Sequence, residues 1–226
     1  MKSQVEMVSI VIPTLNEAGN ILNILNTIHN ELEYPHEIII VDGNSVDGTK
    51  EIVSKTRFCK LIIEPRRGYG LALRTGMKNA RGNVIIMVDG DGTYEVKHIK
   101  KLVDTLAKND ADMVLATRMY DPNKAMGLMN FIGNKLITSC FDFAYKQFFS
   151  DTQSGFRAIS RETIEKIPLK ETDMAYATEM LIRFAQHGCR MIEVPTTYKK
   201  RLYGQPKLRK FKSAIEIFST MVKGLL

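Results

Sequence analysis

Residues 84–91 read Val84-Ile85-Ile86-Met87-Val88-Asp89-Gly90-Asp91, an apolar run followed by two carboxylates that one glycine separates. A short continuous apolar run is typical of a strand buried on both faces of a parallel sheet. Two carboxylates one residue apart can address the same cation, and hard oxygen ligands suit Mg²⁺ or Mn²⁺. Asp and Gly are also common in plain turns after a strand. The stretch alone predicts a strand and leaves the metal site as one of two interpretations.

Apolar runs of the same kind recur along the chain and alternate with segments of helical periodicity. Strands are predicted at 8–12, 38–41, 59–63, 84–88, 113–116, 156–159 and 191–194, and helices at 17–32, 47–55, 69–80, 95–107, 130–149, 178–187 and from about 211. The regular alternation before residue 117 predicts an α/β fold whose central, mostly parallel sheet has helices on both faces. No repeat or low-complexity linker divides the 226 residues, so we expect one domain.

Polar side chains follow the predicted strands at the positions where parallel sheets bind ligands. Asn16 and Glu17 follow the first strand, Asp42 follows the second, and Asp89 and Asp91 follow the fourth. Ligands of open α/β sheets bind outside the carboxyl ends of the strands. Helix capping explains Asn16 and Glu17 equally well when each is taken alone.

Two further turns precede helices. Asp47 and Thr49 are expected to cap the helix predicted at 47–55. Residues 66–70 combine glycines with a helix N-terminus, which together attract phosphate. They lack the Gly-Lys-Ser/Thr ending of a P-loop, so a P-loop is excluded.

The charge of the chain is unevenly distributed. Net charge is +7, and residues 197–212 contain seven basic and no acidic residues. Such a balance suits an anionic partner: nucleic acid, an anionic membrane or a phosphorylated substrate. Tyr198, Leu202 and Tyr203 lie among these charges, which favours an element at a lipid interface. A solvated surface loop is the alternative.

The remaining composition excludes several classes of protein. Cys59, Cys140 and Cys189 are isolated in sequence, so we expect free thiols rather than a zinc ribbon or a redox pair. No signal peptide is apparent, and no apolar stretch reaches the roughly 18 residues that cross a bilayer.

Six segments in this order resemble a known family. They are Val8–Glu17, Asp42–Thr49, Arg67–Leu73, Asp89–Tyr94, Asp151-Thr152-Gln153-Ser154-Gly155-Phe156-Arg157 and Lys200-Arg201. Each is weak alone, but the ordered set resembles the family 2 inverting glycosyltransferases of the GT-A fold. Within that family it is most similar to the dolichol-phosphate (polyprenyl-phosphate) mannose or glucose synthases. The resemblance covers about residues 7–210.

The resemblance implies roles for individual residues. The donor nucleotide-sugar would contact Pro13, Leu15, Glu17, Asp42, Asp89 and Asp91, and the acceptor phosphate would contact Arg118, Ser154 and Arg201. Asp89 and Asp91 would form the metal site for Mg²⁺ or Mn²⁺. Asp91, Asp151, Arg118 and Arg201 are the expected catalytic set. Residues of about 7–118 would form a nucleotide-sugar half, 119–210 an acceptor half, and 211–226 a helix that could face the membrane.

Four positions depart from the family pattern. Gly43 stands where many members have a second Asp, Thr93 where some have Gln, and Pro206 where a Ser is often seen. No Arg occurs near Asn130, where several relatives bind phosphate. These departures affect the expected donor and acceptor rather than the reaction class. The chain has no Trp, so the Gln-x-x-Arg-Trp motif of processive synthases is absent and a single transfer is expected.

The acceptor decides whether a catalytic base is needed. A lipid monophosphate is already ionised near pH 7, because its second pKa is about 6. A saccharide hydroxyl would require a carboxylate base, for which Asp151 is the candidate. We keep both acceptors, with polyprenyl or dolichyl phosphate preferred.

Two other functions fit the sequence less well. A nucleic-acid-binding module would leave the strand-end carboxylates unexplained, so no nucleic-acid partner is expected. A nucleotidyltransferase would carry a glycine-rich signature after the first strand, which is missing here. The expected partners are a nucleotide-sugar, the lipid phosphate and a membrane surface, with a membrane-anchoring protein as a further candidate. The expected location is the cytoplasmic face of a membrane.

Overall fold

The computed structural model describes residues 4–119, 126–204 and 210–225, and for residues 210–212 it describes the backbone alone. The elements are β1 (Val8–Thr14), α1 (Ala18–Glu31), β2 (His36–Asp42), α2 (Thr49–Lys55), β3 (Cys59–Ile63), α3 (Tyr69–Asn79), β4 (Val84–Met87), α4 (Ile99–Lys108), β5 (Met113–Thr117), α5 (Leu128–Tyr145), β6 (Arg157–Ser160), α6 (Arg161–Lys166), α7 (Tyr176–Gln186), β7 (Met191–Pro195) and α8 (Lys210–Lys223). The strands predicted from apolar runs are all present. The short helix α6 was not predicted.

The seven strands form one sheet in the order β3-β2-β1-β4-β6-β5-β7. Strand β6 runs antiparallel to both β4 and β5, and the other neighbours are parallel. The predicted mostly parallel sheet is therefore confirmed. Because β6 is reversed, it begins at the edge where β4 ends, and Arg157 pairs with Met87 there. The loop that leads into β6 consequently lies beside Asp89 and Asp91.

The sheet is buried on both faces, as its apolar strands predict. Alternate residues of β1 belong to different clusters: Ile10 and Ile12 pack with α1 and α4, whereas Val11 packs with α3, α5 and α7. Each layer supplies a large buried apolar area, which is the main stabilising contribution to such a domain. As predicted, none of the three cysteines forms a disulfide, and all three are partly buried against these clusters.

Some residues of the C-terminal part of the chain are not among those that the structure describes. Lys207, Arg209 and Pro206 of the basic segment, and Leu226, lie outside the described residues. Within the described ranges, no helix combines the length and the apolarity needed to cross a membrane. The division into donor and acceptor halves stays a prediction, although the sheet does not split at residue 118, since β6 lies between β4 and β5.

Candidate active site

The two acidic residues after β4 are held by different partners. The Tyr69 hydroxyl donates to Asp89 Oδ1 at 2.9 Å. On the other side, a Cβ added to Gly155 would lie 2.6 Å from Asp89 Oδ2, so only glycine leaves room for this carboxylate. The backbone N–H and the hydroxyl of Thr93 both donate to Asp91 Oδ1, at 3.0 and 2.6 Å. One oxygen of Asp91 is thus fixed by the turn itself.

The groups around Asp89 shift the pKa of its carboxyl in both directions. Burial raises the pKa of Asp89 to about 6, and the negative charge of Asp91 adds to this rise. The Tyr69 hydrogen bond and the charges of Arg118 and Arg201 act in the opposite direction. Because burial and the charge of Asp91 oppose the ionisation of Asp89, the ionised form of Asp89 gains from a nearby positive charge.

Arg201 supplies such a charge, on the donor side of the site. Its Nη2 lies 2.7 Å from Glu17 Oε1 and 3.3 Å from Asp91 Oδ2. Glu17 is almost fully buried and also accepts a hydrogen bond from Asn20 Nδ2 at 2.9 Å. Arg201 therefore links two residues expected to bind donor and metal, although we predicted it at the acceptor phosphate.

Residues 198–204, which we call the strap, hold Arg201 in this place. The Lys199 N–H donates to the Thr93 carbonyl at 2.7 Å, and Tyr198 forms a β-bridge with Tyr94. At the far end, Tyr203 packs so closely on α1 that a Cβ on Gly19 would lie 2.8 Å from it. The strap thus crosses from the turn after β4 to the start of α1.

Arg118 and Asp151 form a buried ion pair next to the strap. Arg118 donates from Nε to Asp151 Oδ2 at 2.6 Å and from Nη2 to Oδ1 at 2.7 Å. Asp151 is fully buried and Arg118 is 10% exposed. The guanidinium also lies over the ring of Tyr198, 5.3 Å from its centre. Because Arg118 engages both carboxylate oxygens, this geometry suits a brace better than a free base.

Ser154 lies inside the same loop. Its side chain is fully buried, and its Oγ is 3.3 Å from the Tyr94 hydroxyl. The Tyr94 hydroxyl in turn accepts the Gly155 N–H at 2.9 Å. The contact of Ser154 with an acceptor phosphate stays a prediction, since the hydroxyl is not at the surface of the site.

The predicted donor residues fall into two groups. Pro13 and Leu15 are partly exposed where β1 ends, at the same edge as Glu17. Asp42 is fully buried, and its carboxylate accepts hydrogen bonds from the Thr14 hydroxyl at 3.0 Å and from Ser45 at 2.7 and 2.6 Å. Asp42 therefore organises the turn after β2, and its contact with a nucleotide stays a prediction.

The capping roles predicted for Asp47 and Thr49 need correction. Thr49 Oγ1 accepts the Glu17 N–H at 2.8 Å and Asp47 Oδ2 accepts the Ala18 N–H at 3.0 Å. Both side chains therefore accept hydrogen bonds from backbone N–H groups at the start of α1. For α2, the expected capping is limited to the bond from the Thr49 N–H to Asp47 Oδ1, at 3.1 Å. Sequence proximity favoured α2, but the parallel pairing of β1 and β2 places both turns together.

Three residues of the site were given no role from sequence. Tyr69 holds Asp89, and Tyr94 holds the loop of Ser154 and Gly155. Arg157 is fully buried and donates to the carbonyls of Thr152, Ser154 and Ala177 at 3.0, 3.0 and 2.7 Å. All three lie within the quoted motifs, so the motifs were the available signal.

The residues present fit a divalent cation held jointly with a substrate. Among the described residues, no group of three or more His, Cys, Asp or Glu side chains could hold a metal without help. Magnesium is typically bound by one or two carboxylates plus substrate phosphates, and Asp89 and Asp91 provide that number. Asp91 Oδ2 lies 3.3 Å from the guanidinium of Arg201, so this oxygen already interacts with a positive group in the absence of metal.

Comparisons with known proteins identify the family of the chain. The family described as glycosyl transferase family 2 matches residues 9–168. Among curated relatives from Haloferax volcanii, glycosyltransferase AglJ is 32% identical over 87% of this chain and 64% of its own length. A low-salt glycan biosynthesis hexosyltransferase, Agl6, is 32% identical over 90% of the chain and 50% of its own. The chain thus spans only half to two thirds of these two. A dolichyl-phosphate hexose transferase is 30% identical over 95% of this chain and 92% of its own length.

Solved structures show the same fold. Glucosyl-3-phosphoglycerate synthase from Mycobacterium tuberculosis, in complex with Mn²⁺ and UDP, superposes with a TM-score of 0.78 at 18% identity, covering 97% of this chain and 80% of that one. Mannosyl-3-phosphoglycerate synthase from Rubrobacter xylanophilus gives a TM-score of 0.78 at 18% identity, covering 98% and 74%. Both likenesses concern the fold alone.

Proposed function

Because the chain belongs to glycosyl transferase family 2, we propose that it transfers a hexose from a nucleotide-sugar to a polyprenyl or dolichyl phosphate, with inversion. The observation that carries this proposal is the meeting of two guanidinium groups with two carboxylates at one strand edge. Arg201 contacts Asp91, and the charges of both Arg118 and Arg201 act on Asp89. A site that places an anionic acceptor beside an anionic donor needs carboxylates to hold the cation at the donor diphosphate and guanidinium groups to hold the acceptor phosphate.

On the donor side, Asp89 and Asp91 would hold the divalent cation together with the diphosphate. A bound Mg²⁺ or Mn²⁺ would neutralise charge on the departing nucleotide diphosphate. Tyr69 and Gly155 fix the Asp89 carboxylate, and Thr93 fixes that of Asp91, so neither needs to reorganise. Pro13, Leu15, Glu17 and Asp42 are proposed to position the nucleoside. GDP-mannose and UDP-hexoses are the candidate donors.

On the acceptor side, Arg118 and Arg201 would orient the lipid phosphate. Guanidinium groups bind phosphate through paired N–H donors, and an ionised phosphate oxygen needs no general base. Asp151 keeps Arg118 in place through both carboxylate oxygens. The relative named a dolichyl-phosphate hexose transferase, matched over almost its whole length, supports this acceptor over a saccharide hydroxyl.

A membrane surface is the proposed setting, and helix α5 supports it. Its exposed apolar side chains have exposed fractions between 52% and 91%: Leu128, Met129, Ile132, Leu136 and Phe143. At about 100° per residue these five fall within an arc of about 100°, so they form one stripe, which we call the α5 stripe. Lys146, which is exposed just after the end of α5, suits anionic headgroups.

Helix α5 also connects to the acceptor loop. The Thr138 and Thr152 hydroxyls lie 2.9 Å apart, and Lys135 Nζ donates to the Ser150 carbonyl at 3.4 Å. A stripe seated on lipid would therefore bring the loop of Asp151 and Ser154 near the membrane surface. The cytoplasmic leaflet, and a membrane-anchoring partner, remain part of the proposal.

A transfer assay tests the proposed function. The protein is incubated with radiolabelled GDP-mannose, UDP-glucose or UDP-GlcNAc, Mn²⁺ or Mg²⁺, and polyprenyl phosphate, and the organic phase is counted. Label should enter the organic phase with one donor, should require the metal, and should be lost in Asp91→Asn but kept in Glu51→Gln, an exposed acid of α2. In a parallel reaction that also contains a soluble saccharide, label that appears only on the saccharide would favour the hydroxyl acceptor. No transfer to polyprenyl phosphate with any donor would refute the proposal.

A further inference from the structure

Arg201 makes two contacts that its expected role at an acceptor phosphate does not explain. Its guanidinium lies 2.7 Å from Glu17 and 3.3 Å from Asp91, both of them expected donor-side residues. The side chain is only 15% exposed, so these contacts are sheltered from water. Ion pairs in such a setting are screened less by salt than pairs on an open surface.

The two oxygens of Asp91 have different surroundings. Thr93 donates twice to Oδ1, so this oxygen is committed to the turn. The contact with Arg201 is made by Oδ2. A carboxylate oxygen binds Mg²⁺ at about 2.0–2.1 Å. A guanidinium and a divalent cation on the same oxygen would repel each other, because both are positive and close together.

The start of the strap is anchored by residues other than Arg201. Lys199 is bonded to Thr93 through its backbone and to Glu95 through its side chain, so the start of the strap is anchored independently of Arg201. Tyr198, also at that start, packs beneath Arg118, the other arginine of the acceptor side. A rotation of the Arg201 side chain away from Asp91 therefore requires no release of the strap.

We propose that Arg201 and the divalent cation compete for Asp91, so that donor binding releases Arg201 to the acceptor phosphate. This inference rests on the proposed function and adds an order to it: the donor complex forms first and completes the acceptor site. Arg201 is the element that couples the two halves. Removing the guanidinium beside Asp91 would favour the cation by charge alone, so Mn²⁺ affinity tests the competition and the reactivity of Arg201 in the wild type tests its release.

Metal binding without acceptor tests the competition. Mn²⁺ affinity is measured by isothermal titration and by electron paramagnetic resonance of free Mn²⁺, with wild type, Arg201→Gln and Lys200→Gln. Lys200→Gln removes the same charge from the neighbouring, exposed position of the strap. Arg201→Gln should bind Mn²⁺ about tenfold more tightly, within the usual range of coupling between sites. Lys200→Gln should stay within about twofold of wild type, as expected of a screened surface charge.

A second measurement uses the wild-type chain, so it does not depend on the folding of a variant. Phenylglyoxal modification of Arg201 is followed by peptide mass spectrometry with and without saturating Mn²⁺. The modification rate should rise with Mn²⁺, because the guanidinium leaves its carboxylates. An unchanged rate, or unaltered Mn²⁺ affinity in Arg201→Gln, would overturn the inference.

These outcomes are distinguishable from failure of the proposed function. Neither measurement contains an acceptor or a sugar, so a wrong acceptor or donor leaves both results unchanged. Normal metal-dependent transfer by the wild type, together with unaltered Mn²⁺ affinity in Arg201→Gln, would remove the competition alone. Absence of Mn²⁺ binding in every variant, with or without GDP or UDP, would remove the competition and the metal site together.

Discussion

Replacing Asp151 with alanine should destabilise the protein strongly, because it leaves the Arg118 guanidinium buried without its partner. The pair makes two short charge-assisted hydrogen bonds, and Asp151 is fully buried while Arg118 is 10% exposed. Removing one member of a buried pair costs about 3–5 kcal/mol. For a chain of 226 residues, each kcal/mol corresponds to roughly 2 °C in the unfolding midpoint. The midpoint should therefore fall by about 6–10 °C.

An exposed ion pair provides the matched control. Glu165 pairs with Arg161 one turn away on α6, with side chains 60% and 34% exposed. Pairs of this kind contribute about 0.3–0.5 kcal/mol, so Glu165→Ala should lower the midpoint by about 1 °C at most. Differential scanning calorimetry of both variants at pH 7 gives the comparison. A fall of less than about 2 °C in Asp151→Ala would refute the account of Asp151 as the brace of Arg118.

Kinetics of the same variant separate the two roles of Asp151. A brace acts through Arg118, so its loss should raise the KM for lipid phosphate, measured at a temperature where the variant is folded. A general base acts in the transition state, so its loss should lower kcat with little change in KM. Retained kcat with raised KM is the result we expect. A loss of kcat of about a hundredfold or more at unchanged KM would instead support a base and a hydroxyl acceptor.

Further predictions concern packing at Asp89 and the α5 stripe. Gly155→Ala should reduce Mn²⁺-dependent donor binding by about tenfold or more. The reason is that the new Cβ would lie 2.6 Å from Asp89 Oδ2, and a clash of this kind costs about 1–3 kcal/mol. Gly133→Ala is the control, because Gly133 has open space around it, and this variant should bind the donor normally in the same titration. Replacing Leu136 and Phe143 with serine should weaken binding to anionic vesicles in a flotation assay by about tenfold or more, since each buried side chain contributes about 1.5–3 kcal/mol. Leu22→Ser changes a 47% exposed leucine of α1, on the opposite face of the sheet, and should bind as wild type does. Equal loss in both variants would contradict the assignment of the stripe.

Local sequence pattern was sufficient for the strands and for the fold class. A buried strand such as β4 must be apolar on both faces, and the run at 84–88 carries this requirement directly. The sequence pattern was not sufficient to predict strand direction. Strand β6 is as buried as β4, and a buried strand has the same apolar pattern whether it runs parallel or antiparallel to its neighbours. The short helix α6 also escaped prediction, since six residues are too few to display helical periodicity.

In the candidate site too, local sequence predicted some features, whereas others depend on contacts between distant segments. Asp89 and Asp91 were found because they follow a strand directly, so their place depends on local order alone. The contact of Arg201 with Asp91 joins residues 110 positions apart and could not be read from either segment. The capping of α1 by Asp47 and Thr49 escaped for the same reason, because it depends on which strands are neighbours.

The reversal of β6 links these observations. Had β6 run parallel, the segment that precedes it would have entered at the opposite edge of the sheet, far from β4. Because it is antiparallel, Asp151, Ser154 and Gly155 arrive where β4 ends, and Gly155 packs on Asp89 itself. The buried Arg157 then fixes that loop through three carbonyls. One reversed strand thus brings the loop of Asp151 and Ser154, expected at the acceptor, beside Asp89, expected at the donor, as the proposed transfer between two phosphorylated substrates would require.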